Sequence, residues 1–194
     1  MKLAIFDFDG TLFPMDTLPF LMAEWRREGR CLRRLLAAYA SVGSLFVGYK
    51  LGIACGRSRE MLHRMALQRV TRLFAGMSEA EVSAFLKRNA ELMAPLLRPS
   101  VLAELRRAQQ QGYHTVLLSG TYETLMQHVG AIIGIDTAIG TALRYKNGIV
   151  DVECELDVVC GDDKAERLNA AFAGQPVDWA ESIAYADSYS DLPV

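Results

Sequence analysis

Two aspartates one residue apart, Asp7 and Asp9, close the apolar run Leu3-Ala4-Ile5-Phe6 and are followed at once by Gly10-Thr11-Leu12. An apolar run of this length, ended by glycine, reads as a short buried strand, and a strand that spends its last residues on carboxylates gives up burial for chemistry. Carboxylates this close repel one another unless one takes up a proton or a cation lies between them, so the pattern calls for a hard metal such as Mg²⁺. The same residues also fit an ordinary turn or a calcium loop, in which glycine takes positive φ and aspartate caps the backbone. The rest of the chain decides between these readings.

At 194 residues, 51% of them hydrophobic, the chain suits one sizeable domain, or a core with a smaller inserted lobe. Its net charge of −2 argues against a general nucleic-acid binder. The charge is unevenly spread: Glu24 to Arg72 holds eleven Lys/Arg against three Asp/Glu, a net of +8, which leaves −10 for the remainder. That segment reads as a separate electrostatic unit. Cys31, Cys55, Cys154 and Cys160 form no Cys-x-x-Cys pair and no zinc-like spacing with His63, His114 and His128, so reduced thiols are expected. No charged region followed by an apolar one opens the chain, and a cytoplasmic protein is the expectation. Leu35 to Tyr49 carries no charge, yet its fifteen residues fall short of the ~20 of a membrane span. A buried or pocket-lining helix is predicted there, with a basic flank that leaves a membrane-surface contact open.

Residues 15 to 95 have mostly helical spacing, with Ser78-x-x-Glu81 as a capping box opening a helix towards Met93. Ser100 is placed to cap a helix from Val101 to Gln111 that ends at Gly112. A second buried strand follows from Tyr113 to Ser119, then a helix from about Tyr122 to Ile133 and a short strand near Ala138 and Ile139. Asn147-Gly148 lies between strand formers and signals a hairpin. A helix from about Asp162 to Ala173 leads to a last strand, Ser182 to Tyr185. Three strands thus end in polar residues: Asp7 and Asp9, then Ser119-Gly120-Thr121, then Asp187-Ser188 with Asp191. In a parallel sheet wound with helices, ligands bind beyond the carboxyl ends of the strands, so the three clusters should converge, joined by Lys164.

In this order the motifs resemble those of the haloacid dehalogenase-like (HAD) phosphohydrolases, and within them the phosphoserine phosphatase-like branch. Asp7-Phe8-Asp9-Gly10-Thr11 is similar to the first family motif, Ser119-Gly120-Thr121 to the second, Lys164 in Gly161-Asp162-Asp163-Lys164 to the third, and Asp187-Ser188-Tyr189-Ser190-Asp191 to the fourth. The resemblance implies an α/β fold, a Rossmann-like parallel sheet with helices on both faces. It also implies an all-helical C1 cap inserted after the first strand. The core would comprise residues 1–14 and 95–194, the cap residues 15–94.

The same resemblance implies Mg²⁺-dependent hydrolysis of a small or amphiphilic phosphate monoester through an aspartyl-phosphate. Asp7 would be the nucleophile and Asp9 first the acid, then the base. Asp7, the Asp9 carbonyl and Asp187 would hold the metal. Thr11, Ser119, Gly120 and Lys164 would bind the phosphate, with Ser188 and Asp191 in support. Asp16 stands where phosphoserine phosphatases carry a glutamate that receives the substrate amine, and it is equally placed to cap a helix at Thr17. Ala186 replaces a frequent family glycine. The ten arginines between Arg26 and Arg72 read mostly as a solvated face, with a few facing the cleft to steer an anion.

The chain stops at Val194 where the family continues with a helix and a strand. The expectation is a fragment, or a sheet lacking an edge and less stable than a longer form. Four other readings stand beside hydrolysis of a small ester: action on phospholipid-derived phosphates at a membrane surface, a phospho-accepting signalling module, a non-catalytic or peripheral membrane protein that retains the fold, and transfer to an acceptor other than water. No oligomeric state is implied.

Overall fold

The computed structural model describes residues 1–50 and 59–186. Its centre is a four-stranded sheet of Leu3–Phe6 (β1), His114–Tyr122 (β2), Thr137–Thr141 (β3) and, later in the chain, Ile183–Tyr185. A two-residue hairpin, Tyr145–Lys146 (β4) and Ile149–Val150 (β5), intervenes, so the last strand is β6. The order is β3-β2-β1-β6, and every neighbouring pair is parallel. Seven helices connect these strands among the described residues: Thr17–Arg27 (α1), Leu32–Lys50 (α2), Arg59–Thr71 (α3), Glu79–Met93 (α4), Pro99–Gln110 (α5), Glu123–Ile133 (α6) and Asp162–Ala171 (α7).

All four residues of β1 are buried, as a strand flanked on both edges and covered on both faces must be. Its side chains alternate between two apolar layers. Leu3 and Ile5 pack with Val116, Leu118, Leu168 and Phe172, which places α7 on that face. Ala4 and Phe6 join the larger layer with Leu105 of α5 and Leu125 and Met126 of α6, and this layer continues into α1, α3 and α4. The capping box at Ser78 and Glu81 is formed, each side chain taking the other residue's backbone N–H.

An aromatic cluster joins the helices between β1 and β2 to the end of β2. Trp25 meets Phe85 edge-on at 5.6 Å, Phe85 meets Phe74 at 5.8 Å, and Phe74 meets Tyr122 at 5.5 Å. Tyr122 is fully buried, and its hydroxyl lies 2.9 Å from Thr71 Oγ1, which donates to the Leu67 carbonyl. The tyrosine must therefore be the donor, and burial pushes its pKa up. Tyr122→Phe removes this bond at constant shape, and a loss of about 1–2 kcal/mol in urea unfolding is expected. An unchanged midpoint would show that the bond does not anchor the helices.

Three sequence expectations need correction. The uncharged stretch Leu35 to Tyr49 lies in α2, but only Leu35, Ala38 and Leu45 of that helix are buried, while Leu36 and Val47 are 58% and 57% exposed. Absence of charge marked a helix resting on α1 and α3 along a narrow face, and that face alone needs apolar residues. Val42 and Phe46 do line a cleft. Ser100 does not cap α5: Arg98 is the cap residue and Pro99 takes the first turn, where a missing N–H costs nothing. Finally, Ser119-Gly120-Thr121 lies within β2 rather than after it, because pairing with β3 shifts register after Leu118 and resumes at Tyr122 with Thr141.

Among the described residues, no helix is long and apolar enough to cross a membrane. Cys31, Cys154 and Cys160 are free thiols. Cys55 lies outside the described residues.

Candidate active site

The carboxyl ends of β1 and β2 and the start of α7 meet at one cleft of about 540 Å³, lined by Asp7, Asp9, Ser119, Gly120 and Lys164 among others. Asp7 extends the ladder of β1 by one bond, its N–H donating to the Tyr185 carbonyl at 3.0 Å. The chain then folds back tightly: Thr11 and Phe13 both donate to the Phe8 carbonyl, and Arg98 N–H takes the Leu12 carbonyl at 2.9 Å. The loop that presents Asp7 is thereby fixed at both ends.

Lys164 Nζ donates to Asp7 Oδ1 at 2.8 Å, and the Thr11 hydroxyl donates to Oδ2 at 3.3 Å. Both ends of the ion pair are largely buried, with side chains 8% and 12% exposed. A lysine is rarely held so deep unless paired, so this one is committed to the carboxylate and to whatever anion approaches it.

Asp9 faces another way. Its Oδ1 accepts from the Thr17 N–H at 2.7 Å and from the Thr17 hydroxyl at 2.5 Å, so it caps the start of α1 from eight residues upstream. Burial pushes its carboxyl up to about 7; the two bonds from Thr17 pull it back, and the charges of Asp7 and Asp16 add to the rise. Asp16 occupies the N-cap position of α1 with no side-chain cap bond, because Asp9 has taken that role, and its own carboxyl lines the cleft.

Gly120 and Gly161 are sites of close approach. A Cβ on Gly120 would lie 2.9 Å from His63 Nε2 and 2.9 Å from the Val159 carbonyl. One on Gly161, where φ is +56°, would lie 2.7 Å from the Glu60 carboxyl carbon. Only glycine lets α3 sit this near the end of β2 and the start of α7. Arg64 of α3 also pairs with Asp163, next to Lys164. The Thr141 hydroxyl donates to the Gly120 carbonyl at 2.7 Å and accepts from Val159 N–H at 3.1 Å, so one buried threonine links the end of β2 to the segment that leads into α7.

Of the residues singled out from sequence, Asp7, Asp9, Thr11, Asp16, Ser119, Gly120 and Lys164 are brought to one locality. Ser119 is buried, its Oγ accepting from Thr121 N–H at 3.3 Å. Asp187, Ser188 and Asp191 lie outside the described residues. The sequence reading missed Glu60, His63 and Thr141; the spacing of Glu60, His63 and Val70 along one helical face was the available signal for the first two. No arginine is among the described side chains lining the cleft. Arg64, Arg69 and Arg72 border a separate cavity of about 490 Å³, and Arg34 and Arg69 are held by the carbonyls of Leu73 and Ser41.

Comparison with known proteins gives the site its lineage: the model of the haloacid dehalogenase-like hydrolases matches residues 4–194. The chain belongs to the haloacid dehalogenase-like hydrolase family. Among curated proteins, this family member is 21% identical over 193 residues to the inhibition of morphological differentiation protein of Streptomyces azureus, covering 98% of this chain and 67% of that one. A crystal structure of a protein of unknown function from Bordetella pertussis Tohama I superposes with a TM-score of 0.76 at 24% identity, over 99% of this chain and 84% of that chain. A phosphoserine phosphatase carrying an analogue of its phospho-aspartyl intermediate gives 0.61 at 20% identity, over 99% and 80%. At these identities the structures establish a shared fold, the HAD-like parallel sheet with flanking helices.

Proposed function

We propose that this HAD family member is a phosphomonoester hydrolase that works through an aspartyl-phosphate on Asp7. The observation that carries the reading is the buried lysine held 2.8 Å from the Asp7 carboxylate at the end of the central strand. A cation so placed screens the approach of a dianionic ester to an anionic nucleophile. The phosphoserine phosphatases among the structural neighbours support the same chemistry.

In the first step an Asp7 oxygen attacks phosphorus, the ester P–O bond breaks, and its electron pair leaves on the alcohol oxygen, which takes the proton held by Asp9. In the second, the Asp9 carboxylate removes a proton from water, the water oxygen attacks phosphorus, and Asp7 departs as a carboxylate with inorganic phosphate. A carboxyl near 7 can serve in both directions at neutral pH. Lys164 neutralises charge throughout, while Thr11, Ser119 and the Gly120 N–H hold phosphate oxygens.

The donors at the end of β1 are all hard oxygens, and among the described residues the four carboxylates of Asp7, Asp9, Asp16 and Glu60 share the cleft with one lysine, which suits Mg²⁺. Asp7, the Asp9 carbonyl and Asp187 would hold it. When bound, it would supply further positive charge beside the phosphate. In the same reading, residues 15–94 form a helical cap over a core of residues 1–14 and 95–194, Asp191 and Ser188 support the lysine and the metal, and the enzyme is cytoplasmic. A panel of phosphate monoesters assayed with Mg²⁺ and with EDTA tests the proposal. Phosphate release with Mg²⁺, and its loss in EDTA, are expected. Release that persists in EDTA would remove the metal from the mechanism, and no release from any ester would overturn the activity.

A further inference from the structure

The cleft continues beyond Asp7 and Lys164 into more space than a phosphate group fills, and its lining changes character there. At about 540 Å³ it is the size of a small-molecule site. Its walls are Met22 of α1, Val42 and Phe46 of α2, and Leu62, Ala66 and Val70 of α3. The α2 pair is spaced i, i+4 and the α3 set i, i+4, i+8, so each helix turns one apolar stripe to the same cleft. Met22, Leu62, Ala66 and Val70 are buried, with at most 6% exposure, although they border open space. Among the described residues, the acidic groups on the lining besides Asp7 and Asp9 are Asp16 and Glu60. Both disfavour a leaving group that carries its own carboxylate, and no described arginine lines the cleft to receive one.

We propose that the cleft selects phosphate monoesters of apolar alcohols, the alkyl or aryl group seated between α2 and α3 while the phosphate meets Lys164. The assignment rests on the phosphatase reading for the phosphate end and deepens it at the other. Apolar surface moved from water into such a site contributes in proportion to its area, so affinity should climb with chain length until the space is filled.

Isothermal titration with n-alkylphosphonates from methyl to octyl, in Mg²⁺, tests this, because their C–P bond is not hydrolysed and binding is read without turnover. Kd is expected to fall about two- to fourfold per methylene until the series levels off. Phe46→Ala should flatten the series; that ring is already 49% exposed, so its removal spares the fold. Leu36→Ala, on the same helix but outside the cleft, should leave the slope unchanged. A Kd independent of chain length, tighter binding of the phosphonate analogue of phosphoserine than of hexylphosphonate, or equal flattening by Leu36→Ala would overturn the assignment. A normal slope in a protein that releases phosphate from no ester would uphold the apolar site and overturn the catalytic reading alone.

Discussion

Asp7→Asn is expected to lower phosphate release from p-nitrophenyl phosphate by on the order of 10⁴-fold or more, as loss of a covalent nucleophile does in enzymes whose groups act as a unit. The amide is close in shape, so Thr11 and Lys164 keep a neighbour of the same size where the carboxylate stood. It cannot attack phosphorus with a full negative charge, and it removes the Asp7 charge from the ion pair with the lysine. Stability should therefore change as well, because a largely buried ion pair loses one of its two charges. Thermal melts would separate the two effects: a folded, inactive variant supports nucleophilic catalysis, whereas a folded variant with more than a tenth of the parent rate would assign the attack to another residue.

Asp9→Asn carries the second large effect, and it acts on activity and stability in opposite senses. Turnover should fall by about 10²–10⁴-fold because the leaving oxygen loses its proton donor and the water its base. The loss should be smaller in the phosphorylation step for p-nitrophenyl phosphate, whose leaving group needs little protonation, so phosphoenzyme should accumulate. Stability without metal follows from the raised pKa. The folded state binds the Asp9 proton more tightly than the unfolded state, whose value is 3.8, so this contribution is complete below about 4 and is lost as pH rises through about 7. With a rise of about three units in a partly exposed group, the parent in EDTA should lose about 2–4 kcal/mol across that window relative to Asp9→Asn. The variant's amide oxygen can still accept from Thr17. Urea unfolding in EDTA at pH 4 and pH 8 measures the difference, and parallel behaviour of the two proteins would show that Asp9 is not held in its protonated form.

The residues that end strands were legible in the sequence because a buried parallel strand leaves a short apolar run with an abrupt polar close. Asp7 announces itself in that way; Ser119 follows the apolar run of β2 although it lies inside that strand, and Lys164, in the first turn of α7, was legible by its place in the motif order. Asp9 was legible as a carboxylate but not as the cap of α1, since capping from eight residues upstream depends on the loop path between Gly10 and Asp16. Thr141 and Tyr122 were opaque for a related reason: each acts through one long-range hydrogen bond, to Gly120 and to Thr71, and neither bond has a local sequence signature. The uncharged stretch in α2 misled in the opposite direction. Its composition spoke for burial, while only the i, i+4 phase of Val42 and Phe46 distinguished the cleft side from the solvent side. The arginines show the same limit, because a count of charges does not say that Arg64 will turn to Asp163 and Arg69 to the Ser41 carbonyl.

The phosphoryl group is expected to pass through Asp7. Rapid acid quench of the protein during turnover of a phosphate monoester with Mg²⁺, followed by proteolysis and mass spectrometry, reads this directly. One added phosphoryl group is expected on the peptide containing Asp7, absent from Asp7→Asn and enriched in Asp9→Asn. Steady turnover with no phosphoryl group on that peptide in Asp9→Asn, or with the label on a different residue, would contradict it.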